Sequence, residues 1–234
     1  MLFFFKKYLV WTDKPKLQLI RGLILLTANI SFFYSISVIS LPKALTLAFV
    51  APLVVTAFSP FFLGESVGYR RWAAVIIGFI GSLVVIRPGF LEINLASLAA
   101  LGTGIMYGFY LIITRKLSTS DNPLLTLLLT GVVGAIIATT FMPFVWVSPT
   151  FNQWSIMAAI GLFACIGHLF IILSLKYADA SKLAPFSYFE IVTNIIIAYY
   201  FFGDFPDSWT FLGLFIIVFS GIYISRRENI VKNI

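Results

Sequence analysis

Residues 43–88 read KALTLAFVAPLVVTAFSPFFLGESVGYRRWAAVIIGFIGSLVVIRP. Two long apolar stretches, 43–63 and 71–88, flank the polar connector GESVGYRR. Each approaches the ~20 helical residues that cross ~30 Å of hydrocarbon. Neither alternates apolar with polar residues, as a membrane barrel strand would. The same pattern fills most of the chain and predicts eight spans, at 19–39, 43–63, 71–88, 94–114, 124–147, 154–177, 182–203 and 208–225. The connections are short and carry Pro, Gly or charge: SLPK, GESVGYRR, RPGFLEIN, RKLSTSDNP, SPTFNQ, ADASK and GDFPDS. The expected fold class is therefore an all-α polytopic membrane protein.

Composition supports this. Of 234 residues, 60% are apolar and only 11% charged, with a mean hydropathy of +1.01. A soluble domain needs more polar surface than that. Residues 1–11 do not read as a cleavable signal peptide, because their apolar stretch is short and its charges follow it. The lone Cys165 lies inside an apolar run, which excludes a disulfide within the chain and a cysteine-rich metal site. No cofactor is expected.

The net charge of +7 is explained by topology rather than by nucleic acid, which is not expected as a partner. Fourteen Lys and Arg residues fall on the side holding the N-terminus: Lys6, Lys7, Lys14, Lys16, Arg21, Arg70, Arg71, Arg115, Lys116, Lys176, Lys182, Arg226, Arg227 and Lys232. Only Lys43 and Arg87 fall on the other. Cationic loops stay in the cytoplasm. Both termini are thus expected to be cytoplasmic, in a multi-pass protein with the lipid bilayer as its solvent. Trp11, Trp72, Trp146, Trp154 and Trp209 fall near span ends, where indoles meet the headgroups.

Shifting the chain by 139 residues aligns 22–87 with 161–226 without a gap. Identities are Gly22 with Gly161, Leu23 with Leu162, Ser35 with Ser174, Lys43 with Lys182, Phe62 with Phe201, Gly64 with Gly203, Ile77 with Ile216 and Arg87 with Arg226. Eight matches carry little in so apolar a chain, but three span boundaries coincide as well. The shift moves span one onto span six. Five spans is an odd number, so the copies point in opposite directions, an arrangement recurrent in secondary transporters. The repeat suggests an incomplete first half of three spans (19–88) and a second half of five (94–226). These lie between an N-terminal stub (1–18) and a cytoplasmic tail (227–234). On this reading the first two helices of repeat one are missing, and MLFFFKKYLVW is the tail of a truncated helix.

Three stretches resemble the EamA family of the drug/metabolite transporter superfamily. They are RGLILL at 21–26, FVAPLVVTAFSPFFLGESVGYRRWAAVIIGFIGSLVVIRPG at 49–89, and APFSYFEIV with FFGDFPDSWTFLG between 184 and 213. The likeness runs from about residue 19 to 226. It implies ten helices in two inverted five-helix halves. It also implies transport of amino acids and other metabolites, S-adenosylmethionine importers being among the relatives. The two absent helices help line the central cavity in that family.

Ionisable groups inside a bilayer are costly and invite a functional reading. Glu190 lies mid-span. Ser187, Glu190 and Asn194 share one helix face at spacing i, i+3, i+7. Glu190 could bind a cationic group of a substrate or carry a coupling proton; a protonated carboxyl bonded to a neighbouring helix is the structural alternative. His168, the sole histidine, corresponds to Asn29 in the repeat. Its two readings are a polar contact between helices and a substrate hydrogen bond or proton relay. Thr27, Ser31, Tyr34 and Ser35 form one polar stripe, and Thr103, Tyr107, Tyr110 and Thr114 another. Such stripes line cavities or hold helices together. Tyr34 and Tyr107 are the favoured cavity residues, offering a ring face and a hydroxyl.

Gly104-x-x-x-Gly108 and Ala74-x-x-x-Gly78-x-x-x-Ser82 read as close-packing rows. Pro52, Pro60 and Pro185 fit either a hinge or a static kink. Gly64 and Gly203 read as helix caps. No G-x-S-x-G, H-E-x-x-H, Walker A or Rossmann glycine pattern occurs, so an enzyme is not expected. The leading function is a secondary transporter of a small amino-acid-like or S-adenosylmethionine-like solute, working by alternating access. The alternative is a transport-inactive remnant, or a chain that needs a partner; a homodimer stays open.

Overall fold

The computed structural model describes residues 12–64, 67–87, 94–177 and 180–232. The stretch 1–11, with Trp11, and Glu65 lie outside the described residues. Ser187, Lys182 and Pro185 belong to a described helix, but their side chains do not belong to the described set.

The chain is all-helical in its described residues. In order the helices are α1 (Pro15–Ile36), α2 (Leu41–Ala48), α3 (Ala51–Leu63), α4 (Tyr69–Ile86), α5 (Leu95–Ser118), α6 (Pro123–Val145), α7 (Phe151–Tyr177), α8 (Ala180–Phe202) and α9 (Ser208–Lys232). Six apolar helical segments are long enough to cross a membrane, with α2 and α3 forming one of them. Shorter apolar stretches at Thr193–Phe202 and Ser208–Ile224 belong to α8 and α9. The protein is thus a polytopic membrane protein of about eight spans. The expected boundaries move by a few residues, and the second span is broken in two.

Pro52 accounts for the break. It has no N–H to give to the Ala48 carbonyl four residues back, and its ring crowds that carbonyl. The ladder is interrupted there. Phe49 N–H still bonds Leu45 O, and α3 starts afresh with Leu53 and Val54 both donating to Val50 O. Pro60 lies inside α3 without ending it. The Ser59 hydroxyl donates to Thr56 O at 3.3 Å, supplying the bond that Pro60 cannot make. Gly64 at φ 71° and Gly203 at φ 69° end α3 and α8 in the left-handed conformation that favours glycine.

The described residues fall into two compact units. One comprises residues up to Leu25 with Ile113–Ala178, and the other Leu26–Ile112 with Asp179–Ile234. In the first, α6 and α7 pack on each other. The buried residues of α6, namely Pro123, Leu125, Thr126 and Thr130, all lie in its first eight. Only Ile172 and Leu175 are buried on α7. Cys165 is exposed there. Asn122 caps α6 by accepting from Leu124 N–H at 2.9 Å. The α7 start is a capping box in which Thr150 and Gln153 bond each other's backbone N–H. The α7 end is closed by Arg115 and Ser118, which donate to Leu175 O at 2.6 and 3.2 Å.

In the second unit, α4 and α9 form the most extensive pair and run antiparallel. Arg87 at the end of α4 meets Asp207 at the start of α9. Further along, a Cβ on Gly213 would lie 2.6 Å from Gly81 O, so the backbones touch. These helices are mates under the 139-residue shift. Around them a core gathers Phe49, Val50, Leu53, Ala74, Val75, Ile191, Leu214 and Ile217. The row Gly104-x-x-x-Gly108 packs α5 onto the broken span. A Cβ on Gly104 would come within 2.6 Å of Ala48 O, and one on Gly108 within 2.7 Å of Val54.

Arg87, a left-handed non-glycine residue, donates its N–H to Leu83 O at 2.8 Å. Its guanidinium pairs with Asp207 and lies 5.7 Å from the Trp209 ring centroid. Asp207 also caps α9, accepting from Thr210 N–H at 2.7 Å. Partial burial works to raise the Asp207 pKa. The hydrogen bonds from Thr210 and Arg87 outweigh it and hold the carboxyl at about 2.

Two outcomes follow from this packing. Gly104→Ala is expected to cost ~1–3 kcal/mol, because a backbone oxygen cannot move aside as a side chain would. Gly102→Ala, with nothing within 4 Å, should gain up to ~1 kcal/mol of helix propensity. Thermal unfolding in detergent compares them, and equal effects would disprove the close approach. The second outcome concerns acid. The folded Asp207 pKa lies below its unfolded value of ~3.9, so its stabilisation is present above about pH 4. That stabilisation fades as pH falls through 2. Asp207→Asn keeps the cap and loses the ion pair, an exposed one that contributes at most ~1 kcal/mol. The variant's melting temperature should therefore fall less than the parent's between pH 5 and pH 2.

Candidate functional site

A carboxylate in the middle of a membrane helix is the group least at ease with hydrocarbon, so the site is built outward from Glu190. It is the eleventh of the 23 residues of α8, about 15 Å from its start and about 18 Å from its end at 1.5 Å per residue. The buried side of α8 carries Ile191 and Ala198, which face helices α2, α3 and α9. Glu190 stands one position off that side and is exposed. Asn194, one turn on, donates its amide N–H to Glu190 Oε1 at 3.5 Å. The two residues lie on one face of α8. Ser187 lies outside the described side chains.

Tyr107 and Tyr110 occupy one side of α5 with ring centroids 5.5 Å apart and planes 16° from parallel. Tyr110 is fully buried while Tyr107 is half-buried. An outer ring backed by an inner one is a fixed stacking platform. On α1, Asn29 is exposed, and Tyr34 shares an open face with Ile30 and Phe33. Other members of the two polar stripes serve packing. Thr103 Oγ1 donates to Ala28 O at 3.2 Å, and Ser35 Oγ donates to Ser31 O at 2.7 Å. His168, half-buried on α7, belongs to the first unit, separately from the other candidates. Among the described residues no group of three or more His, Cys, Asp or Glu is placed to hold a metal.

The structure adds a polar network that the sequence reading missed. Arg21 counts there as one more cation of a cytoplasmic rim. In the fold it is completely buried. Its Nε donates to Thr114 Oγ1 at 2.7 Å, and Nη1 donates to Thr126 O at 3.1 Å and to Thr130 Oγ1. One turn earlier, the Gln18 amide donates to Asp121 Oδ2 at 2.6 Å and to Thr126 Oγ1 at 3.0 Å. Thr12 also donates to Asp121 Oδ2, at 2.5 Å. The network stitches the start of α1 to the α5–α6 corner. Its sequence signal was a pair of matched spacings, Gln18 with Arg21 at i, i+3 and Thr126 with Thr130 at i, i+4.

With this geometry in hand, comparison with known proteins is informative. A family model described as the EamA-like transporter family matches residues 1–87 and 94–226. The chain is 26% identical over 230 residues to an S-adenosylmethionine uptake transporter of Rickettsia conorii, covering 98% of this chain and 78% of that protein. It is 30% identical over 193 residues to a riboflavin transporter of Vibrio cholerae, covering 80% and 63%. Against a pseudopaline exporter of Pseudomonas aeruginosa it is 25% identical over 216 residues, covering 90% and 75%. A solved crystal structure of a protein shares the fold with a TM-score of 0.66 at 19% identity, over 94% of this chain and 77% of its own.

Replacing Arg21 by Met keeps the volume but deprives three oxygens of a buried donor. We expect a loss of ~1–3 kcal/mol, read as a lower midpoint of unfolding in mixed micelles. Thr114→Val, which removes one acceptor, should cost less. An Arg21→Met chain as stable as the parent would contradict a stitching role.

Proposed function

This chain belongs to the EamA-like transporter family, and from that premise we propose that it is a secondary transporter of a small cationic or zwitterionic metabolite. The solute class is amino-acid-like or S-adenosylmethionine-like, and the route is alternating access across the bacterial inner membrane. The observation that carries this reading is the exposed Glu190 at the middle of α8. A carboxylate at that depth is tolerated where water, a proton or a counter-charge reaches it. A solute bearing an ammonium or sulfonium group supplies the counter-charge.

The relatives support a metabolite cargo in general terms. One relative's S-adenosylmethionine carries a permanent sulfonium charge beside an amino-acid head, which fits a carboxylate better than a neutral cargo would. Tyr107 on its Tyr110 backing offers a face on which a ring or a cation can lie. In this reading Glu190 and Asn194 hold the polar head, and Asn29, Tyr34 and Ser187 are further contacts. The fourteen-to-two bias in Lys and Arg supports cytoplasmic termini. The shift of 139 residues and the antiparallel α4 and α9 support halves at 19–88 and 94–226 that rock against each other.

A second reading has its own observation. Beyond the first eight residues of α6, the α6–α7 hairpin buries little. A hairpin so open favours a chain that needs a partner, another copy included, before it moves any solute.

Purified protein in proteoliposomes decides between them. We expect saturable, solute-dependent flux of S-adenosylmethionine or a cationic amino acid. Glu190→Gln should weaken it at least tenfold in apparent affinity, equal to 1.4 kcal/mol, or abolish it. Unchanged flux in the variant would reduce Glu190 to a structural carboxyl. Absence of flux from the parent at every protein-to-lipid ratio would overturn the transporter reading for the chain alone.

A further inference from the structure

The outer face of the α3–α4 pair carries an apolar groove of about 360 Å³, lined by Ala57, Phe58 and Phe61 of α3 and by Trp72, Ile76 and Leu83 among the residues of α4. The α4 residues Tyr69, Trp72, Ile76, Ile80 and Leu83 follow spacings of three and four, so they form one continuous stripe. From Trp72 to Leu83 the stripe runs about 16 Å at 1.5 Å per residue. The mouth of the groove is chemically different from its floor. Tyr69, one turn before Trp72, is 76% exposed. Arg70 donates from Nε to the Tyr69 hydroxyl at 2.9 Å, and its guanidinium lies 5.5 Å from the Tyr69 ring centroid. That contact draws an exposed cation over the start of the stripe, and the remaining guanidinium N–H groups can still donate.

We propose that this groove is a binding site for one anionic phospholipid. An acyl chain lies along the stripe between α3 and α4, and its phosphate meets Arg70. Three observations converge on an amphiphile with a negative head. The floor is wholly apolar. Tyr69 and Trp72 are ring systems with a polar edge, which settle at headgroup level. Among the described residues the charge drawn over the mouth is positive, and basic residues near the surface select anionic lipid. A neutral lipid would satisfy the floor and leave the guanidinium without its phosphate. A protein partner would have to match a narrow groove open to the hydrocarbon.

The test is native mass spectrometry of the full chain released from nanodiscs holding equal amounts of dioleoyl phosphatidylglycerol and dioleoyl phosphatidylcholine. We expect retained phosphatidylglycerol to exceed phosphatidylcholine. Arg70→Gln should reduce that preference about fivefold, while Arg70→Lys keeps most of it. Ile80→Trp, which fills the groove from an exposed position, should lower retention of both lipids. Equal retention of the two lipids by the parent, a preference unaffected by Arg70→Gln, or a retention unaffected by Ile80→Trp would overturn the site and leave only annular lipid. Transport need not be measured, so the result stands apart from the proposed function.

Discussion

Hydrocarbon offers no hydrogen bonds, and the whole chain is arranged around that deprivation. Each peptide group must find its partner within its own helix or from a neighbour at close range. Pro52 and Pro60 both break this rule, and the two breaches are handled differently. At Pro60 a hydroxyl one residue away bonds the carbonyl left without its usual donor, and α3 continues. At Pro52 the ladder is interrupted, the span splits, and Gly104 of α5 comes close to the Ala48 carbonyl. The break in one helix and the glycine row on another are therefore parts of one feature. A larger residue at Gly104 would hold α5 off the broken span.

The same deprivation governs charge. Arg21 is tolerated at full burial because hydroxyl and carbonyl oxygens of α5 and α6 surround it, and the Gln18–Asp121 link extends the network toward the chain's start. Arg87 is largely buried just past the end of its helix, where an aspartate and an indole receive it. Glu190 has neither solution. It keeps an amide one turn away and an open side. The contrast between a charge enclosed by the fold and a charge left open is the physical ground on which a solute contact at Glu190 is proposed.

Much of this was legible in the chain itself. Span number and class followed from run length and hydropathy, which are local properties. The Gly104 and Gly108 row and the Glu190–Asn194 face followed from helical spacing. What stayed illegible depends on partners distant in sequence. Pro52 announced a disturbance without saying that the span would split. Arg21 looked like any rim cation, since only the arrival of Thr114, Thr126 and Thr130 from about a hundred residues away marks it as interior. For Thr103 and Thr114 helical spacing left cavity lining and helix packing equally open, and their partners on α1 became visible only in the fold.

The solitary Cys165 sits exposed on α7, with no second thiol anywhere in the chain. Alkylation proceeds through the thiolate, and a thiolate forms readily where water reaches the sulfur. The chain thus already contains a single-site reporter of wetting within the bilayer. A charged, membrane-impermeant maleimide and a small permeant one will label this position at comparable rates where an aqueous path opens to it, and at very different rates where lipid covers it.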